Sequence, residues 1–372
     1  MSNSFSKKLI DWYGVNQRKL PWRNVGDPYL IWLSEVILQQ TRIEQGLEYF
    51  LRFRRDYPTV RDLASASEEQ VLKSWQGLGY YSRARNMHSA AKYIIDELNG
   101  EFPKTYEGLL RLKGVGPYTA AAIASFAYRL PYPVIDGNVY RFVSRCFGID
   151  TPIATPMAYK EFEGLLLTLI DREHPDLFNQ AMMDFGSTFC RPTAHDCVNC
   201  IFHDICVANE KGKVDLLPVR SGRVKTRDRY FYYFHVCWRE GEVEMTLLHQ
   251  RQGDDIWRGL YEFPLLETSQ PISQEKLLEE AHRFALGLTD KTPRNMINTM
   301  QIVYKLTHQT IHAVFFDVFF DEKVVPNKGY EQPTSLEMLK KRPFPRLIDR
   351  YLQKNRQRVA ATNEKSVNFA IL

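Results

Sequence analysis

The chain has 372 residues, 44% of them hydrophobic and 25% charged, with a formal net charge of +5. This length exceeds one ordinary domain and predicts two with a connector, and the mild positive balance is compatible with a polyanionic partner without requiring one. There is no membrane-length apolar run, and Met1–Lys8 lacks the charged-then-apolar pattern of a secretion signal, so an intracellular, cytoplasmic protein with its six cysteines unpaired is expected.

Residues 1–212 read as a helical domain. Leu30–Leu38 is an apolar run interrupted by Glu35. Burial there would disfavour the charged carboxylate and raise its pKa, as suits a general acid; the competing reading places Glu35 on an exposed helical stripe. Ser67 followed three residues later by Gln70 predicts a capped helix start. Leu109–Leu112 and Tyr118–Tyr128 read as two helices separated by Gly114-Val115-Gly116-Pro117, with proline suited to the first turn of the second. The amides of Gly114 and Gly116 could hold a phosphate, although glycine is also common in purely structural turns. In Val134–Val139, Asp136 is well placed to cap a helix over Asn138–Arg145.

Cys190, Cys197, Cys200 and Cys206 follow the spacing C-x6-C-x2-C-x5-C. Four thiolates this close in sequence can converge on one centre, either zinc or an iron–sulfur cluster; the spacing alone leaves both open. Cys146 and Cys237 have no such pattern and read as small buried hydrophobes. Residues 213–229 carry Lys213, Arg220, Arg223, Lys225, Arg227 and Arg229 against Asp215 and Asp228, a basic linker. Residues 230–352 read as a smaller α+β domain, with strands over Tyr230–Trp238 and His312–Phe320 and helices over Leu277–Leu286 and Pro345–Leu352. Residues 353–372 read as a disordered tail.

Together, the glycine hairpin, the aspartate about twenty residues beyond it and the cysteine cluster resemble the helix-hairpin-helix superfamily of DNA glycosylases. Leu20–Arg23, Ser34–Thr41, Gly77–Arg85 and Phe178–Asp184 match the adenine DNA glycosylase family within it. The resemblance implies a mainly α glycosylase domain with an iron–sulfur cluster loop, a [4Fe–4S] cofactor on the four cysteines, and a monomer acting on double-stranded DNA. The implied reaction is hydrolytic removal of adenine paired with 8-oxoguanine or guanine, in the nucleoid if the cell is bacterial. It further implies that Glu35 protonates the leaving adenine and Asp136 stabilises the glycosyl cation or traps it covalently, with Tyr118 and Asn138 supporting these carboxylates. Gln40 and Tyr80 would enter the base stack, and Arg23 and Arg83 would line the adenine pocket.

The neighbouring endonuclease III-like enzymes also cut the backbone, using a lysine eighteen residues before the aspartate. Here that position is Tyr118, and a phenol cannot form a Schiff base. Residues 230–350, with Trp257–Pro264 as the clearest word, resemble the family's Nudix-like domain for reading 8-oxoguanine. Leu306-Thr307-His308 stands where the family has Phe-Ser-His, keeping hydroxyl and imidazole but not the aromatic ring. Two readings of other classes compete. One is a Nudix hydrolase, for which Glu279 and Glu280 supply only part of the magnesium-binding pattern; the other is a scaffold with a dead site.

Overall fold

The computed structural model describes residues 2–153, 155–220, 222, 226–327 and 333–355, which fall into two compact units. The first comprises residues 1–66 and 86–223, the second residues 67–85 and 224–372. Among the described residues no helix is long and apolar enough to cross a membrane.

The first unit is helical. Its Pro28–Leu38 helix begins where the Asp27 side chain accepts the Tyr29 N–H at 2.8 Å, with proline on the first turn. This helix is buried nearly all round, including Trp32, Leu33 and Ile37, so apolar surface rather than an amphipathic stripe holds it in place. It packs against Pro117–Tyr128, where Ala120, Ala121, Ala122 and Ala124 let the two backbones approach. The turn before that helix needs Gly114 twice over. Its φ is +81°, and a Cβ would lie 2.7 Å from that of Asn86. A second core gathers Phe5, Leu9 and Tyr13 of the N-terminal helix Ser2–Asn16 with Val139, Phe142 and Val143 of the Gly137–Phe147 helix and Phe178, Phe185 and Phe202.

The second unit is built on a sheet of β1 (Arg227–Glu240), β2 (Val243–Thr246), β5 (Leu265–Thr268), β6 (Asn295–Lys305), β7 (Gln309–Phe319) and β8 (Thr334–Ser335), with β3 (His249–Gln250) and β4 (Tyr261–Glu262) paired separately. The main order is β6-β7-β1-β2-β8, with β1 and β7 parallel in register from Arg227↔Gln309 to Cys237↔Phe319. Both faces of β1 are covered, which is why Tyr230–Trp238 is almost continuously apolar. Tyr232, Phe234, Val236 and Trp238 face Ala281, Ala285 and Leu288 of the Gln274–Leu288 helix. On the alternate positions, Tyr233 stacks on Phe315, which stacks in turn on Tyr351 of the terminal helix, residues 346–355.

Three features differ from the reading of the chain. Ser67–Arg85 groups with the second unit, although it lies within the helical sequence. Its start carries the expected capping box, with Ser67 Oγ accepting the Gln70 N–H at 3.2 Å and Gln70 Oε1 accepting the Ser67 N–H at 2.8 Å. Arg342 then pairs with Glu69 at 2.8 Å, Gln76 donates to Asp349 at 3.1 Å, and Trp75 is fully buried. The basic stretch ends earlier than 229, because β1 begins at Arg227. Arg229 is a buried cation held by Asp255 and Glu267 at 2.7 Å each, not a linker charge. The tail also begins later than 353, since residues 353–355 remain helical. Arg223, Lys225 and residues 356–372 lie outside the described residues.

Candidate active site

Glu35 sits in the last two turns of the Pro28–Leu38 helix and is 6% exposed, which excludes the exposed-stripe reading. Tyr118, on the first turn of the Pro117–Tyr128 helix, donates its hydroxyl to Glu35 Oε2 at 2.6 Å. Burial pushes the Glu35 pKa up to about 7; the Tyr118 hydrogen bond opposes this, and the charge of Asp136 adds to it. The Tyr118 hydroxyl is itself raised well above its ordinary value, first by burial and then by the Glu35 charge, so it remains a donor.

Asp136 caps the Gly137–Phe147 helix and belongs to the same site. Its Oδ1 accepts the N–H groups of Asn138 at 2.9 Å and Val139 at 2.7 Å, and Oδ2 accepts Asn138 Nδ2 at 2.7 Å. Burial raises its pKa, while these bonds and the nearby Arg141 act in the opposite direction. Asn138 is fixed in turn by Arg141, whose Nη2 donates to Asn138 Oδ1 at 2.9 Å. Buried side chains, a tyrosine donor and a helix N-terminus thus give two neighbouring carboxylates different environments.

Glu35, Tyr118, Asp136 and Asn138 line one cavity of about 280 Å³, a size suited to a planar heterocycle. Trp22, Arg23, Leu38 and Gln180 contribute further walls. Arg23 donates to both oxygens of Asp184 at 2.8 Å and to the Tyr13 hydroxyl at 2.7 Å, and the fully buried Asp184 also pairs with Arg18. Reading the chain missed Arg18, Gln180 and Asp184 as site residues. The last two lie in the quoted word Phe178–Asp184, but nothing in the sequence pairs that aspartate with arginines more than 160 positions away. Gln40 is on the rim of an adjoining opening shared with Glu35 and Asp136, and it holds a left-handed φ of +55°. For a non-glycine residue this is uncommon, and such strain tends to gather at functional positions.

Arg83 is placed by contacts within its own unit. It belongs to the second unit, where its guanidinium lies 5.0 Å from the Trp75 ring centre and 5.7 Å from that of Tyr80, and donates to the Gly79 carbonyl at 3.2 Å. The local reason is that Gly77–Arg85 folds with Trp75 as its core. Tyr80 is 47% exposed at a φ of +47°, and its hydroxyl hydrogen-bonds to that of Thr307. Thr307 and His308 are exposed on the turn between β6 and β7. Together with Tyr80, Arg85, Trp257 and Tyr304 they line a cavity of about 490 Å³. Glu279 and Glu280 are both tied to Arg283 at 2.9 Å on an exposed helix face.

Cys190, Cys197, Cys200 and Cys206 line a single cavity floored by Phe142, Phe185 and Phe202. Arg145 approaches Cys190 Sγ at 3.6 Å. Burial raises the Cys190 and Cys197 thiols and takes Cys200 to about 11, and neighbouring cysteines add to each shift, so thiolates here call for a compensating cationic centre. Among the described residues no three His, Cys, Asp or Glu side chains are gathered closely enough to hold a single metal ion. Cys146 is buried as expected, whereas Cys237 is only half-buried.

Residues 33–166 match the model of the HhH-GPD superfamily of base excision DNA repair proteins, and residues 233–354 that of the NUDIX domain. The adenine DNA glycosylase of Rattus norvegicus is 39% identical over 359 residues, covering 82% of this chain and 69% of the rat protein. The chain belongs to the adenine DNA glycosylase family. The Mus musculus member of that family is 33% identical over 331 residues, 76% of this chain, which spans 64% of the mouse protein's length. Among solved structures, a thermostable thymine-DNA glycosylase is 26% identical with a TM-score of 0.53, and the match covers 56% of this chain and 97% of that one. The helical glycosylase fold followed by a Nudix-like α+β domain is therefore the architecture that the sequence implies for a member of this family.

Proposed function

We propose that this chain is a monofunctional DNA N-glycosylase that flips out and excises adenine paired with 8-oxoguanine or guanine. The observation that carries the reading is the placement of Glu35, bonded to Tyr118, with Asp136 in one base-sized cavity. Cleaving an N-glycosidic bond needs a proton on the departing base and negative charge beside the developing oxocarbenium ion. Glu35, with its pKa near 7, serves as the proton donor. Asp136, held by two backbone N–H groups, supplies the anion. Tyrosine at 118 cannot open the sugar as a Schiff base, and among the described residues no lysine lines the cavity, so an intact abasic site is the product. The target base must leave the stack, and Gln40 and Tyr80 are planar, exposed side chains suited to filling the gap.

Cys190, Cys197, Cys200 and Cys206 would hold the [4Fe–4S] cluster, which supplies a structural cross-link for the loop rather than a group in the hydrolysis. Support comes from the donor set, four cysteine sulfurs lining one cavity floored by phenylalanines, together with the family's [4Fe–4S] pattern. Metal analysis of anaerobically purified protein is expected to give about four irons per chain; one zinc without iron would refute the assignment.

The Nudix-like unit is proposed to read the opposite base. Relative to guanine, 8-oxoguanine gains a donor at N7 and a carbonyl at C8, and Thr307 and His308 carry hydrogen-bonding groups suited to that edge. A hydrolase reading has little to rest on, since Glu279 and Glu280 supply only part of the magnesium-binding pattern and pair with Arg283 on an exposed helix face. The decisive assay measures base release from duplexes with adenine opposite 8-oxoguanine, guanine or thymine, with thymine glycol as control. Free adenine from the first two, with the backbone intact, is expected. Release of thymine glycol with strand cleavage and no adenine would replace this reading with a lyase. Thr307→Ala with His308→Ala should narrow the ratio of the first two rates by about tenfold per 1.4 kcal/mol of lost contact.

The pH dependence follows from the two carboxyls. Glu35 acts protonated, so the single-turnover rate should fall by about tenfold per unit above pH 7. Asp136 acts ionised, so the rate should also fall at the acidic end. A rate that declines from pH 4.5 upward would show that Glu35 keeps its ordinary value and is not the acid.

A further inference from the structure

The Pro175–Asp184 helix ends in one turn of π-helix, Phe185–Phe189, and Gly186 lies in that turn. Single π-turns often mark functional positions. The φ of Gly186 is not left-handed, so it is not the backbone conformation that demands glycine here. Space does. A Cβ at this position would lie 2.6 Å from the Asn138 carbonyl oxygen, 2.8 Å from its carbonyl carbon and 3.0 Å from its Cβ. The nearest two atoms are backbone, and they belong to the first turn of the helix that Asp136 caps.

That turn also orients Asp136. Its carboxylate takes bonds from the Asn138 and Val139 N–H groups and from Asn138 Nδ2. Arg141 ties the two sides together by donating to both Asn138 Oδ1 and the Gly186 carbonyl. On the other flank, Asn179 of the same helix accepts the Val134 N–H at 2.9 Å and donates to the Tyr132 carbonyl at 2.9 Å, fixing the segment that enters Asp136. One helix and its π-turn thus clamp Asp136 from before and after.

We propose that Gly186 is a positioning residue for base excision: its missing side chain lets the π-turn rest on the Asn138 backbone and so aims the Asp136 carboxylate into the cavity. This rests on the glycosylase reading above. A methyl group at 186 would push the Asn138 peptide away, and a displacement of about 1 Å at a reacting group can cost on the order of a hundredfold in rate.

The test is Gly186→Ala in the full chain, with Gly164→Ala as control, because a Cβ at Gly164 meets nothing within 4 Å. The readouts are single-turnover adenine release, affinity for a duplex carrying a non-cleavable adenosine analogue, iron content and melting temperature. Gly186→Ala is expected to slow release by about tenfold to a hundredfold with affinity and iron content unchanged. The acidic limb of its pH–rate profile should move to higher pH, because a carboxylate that loses N–H donors is harder to ionise. The rate constant comes from the exponential, not its amplitude, so partial unfolding does not mimic the effect. A Gly186→Ala rate within about twofold of wild type overturns the proposal. So does a parallel loss of rate, affinity and melting temperature with an unmoved acidic limb. If the alanine chain does not fold, Arg141→Gln, which cuts the Asn138–Gly186 tie without adding volume, must show the same separation of rate from affinity; its failure to do so also overturns the proposal. A wild-type chain that releases no adenine refutes the glycosylase reading instead.

Discussion

Asp136→Asn is expected to slow adenine excision by roughly a hundredfold to a thousandfold or more, while affinity for the mispair stays near wild type. The carboxylate charge matters mainly once the sugar becomes cationic, so binding the intact duplex draws little on it. The fold should tolerate the change, since asparagine caps helices about as well as aspartate and its Oδ1 can still accept the Asn138 and Val139 N–H groups. The misfit falls on the other oxygen, where the new amide would face Asn138 Nδ2, donor against donor. Asn138 cannot simply flip, because its own Oδ1 receives Arg141. Single-turnover rate, analogue binding and melting temperature measured together check this. Near-normal excision would remove Asp136 from the mechanism.

Glu35→Gln is expected to cost about a hundredfold to ten-thousandfold in the same rate, because an amide cannot give up the proton the leaving base requires. Geometry should survive, as the glutamine oxygen can accept the Tyr118 hydroxyl that now binds Oε2 at 2.6 Å. Two further signatures separate lost chemistry from lost structure. The residual rate should no longer fall above pH 7. The variant should also be the more stable protein at alkaline pH. A carboxyl raised from about 4.5 in the unfolded chain to about 7 in the fold stabilises the fold below the lower value and loses that contribution as pH rises through the upper one. Above pH 7 the buried charge costs the wild type up to about 3 kcal/mol, a cost that glutamine avoids. A lower melting temperature for Glu35→Gln than for wild type at pH 8 would mean that the buried carboxylate is compensated in a way the site does not show.

The grouping of Ser67–Arg85 with the second unit bears on how opposite-base reading is tested. Removing residues 230–372 would strip Glu69, Gln76 and Tyr81 of Arg342, Asp349 and the Phe344 carbonyl. A truncated chain would then combine loss of the proposed reader with damage to the Tyr80 loop. Point substitutions leave the Glu69–Arg342 and Gln76–Asp349 ties in place; because Thr307 also bonds the Tyr80 hydroxyl, His308→Ala is the cleaner of the two probes.

Local signals determined a large part of this protein. Proline at 117, the Ser67–Gln70 box and the Asp136 cap act within four residues, so their helix starts could be read directly. The aromatic and β-branched runs of β1 and β7 announced strands for the same reason, and the family words pointed to the fold. Tertiary structure alone decided the rest, because each remaining feature depends on residues distant in the chain. The burial that lifts the Glu35 pKa is decided only once other helices, Pro117–Tyr128 among them, pack against Pro28–Leu38. The Arg83 guanidinium lies against the Trp75 and Tyr80 rings, a contact that the family words did not announce. Arg229 looked like linker charge until Asp255 and Glu267 converged on it. Gly186 carried no signal at all, since its need for empty space is set by the backbone of Asn138, 48 positions earlier.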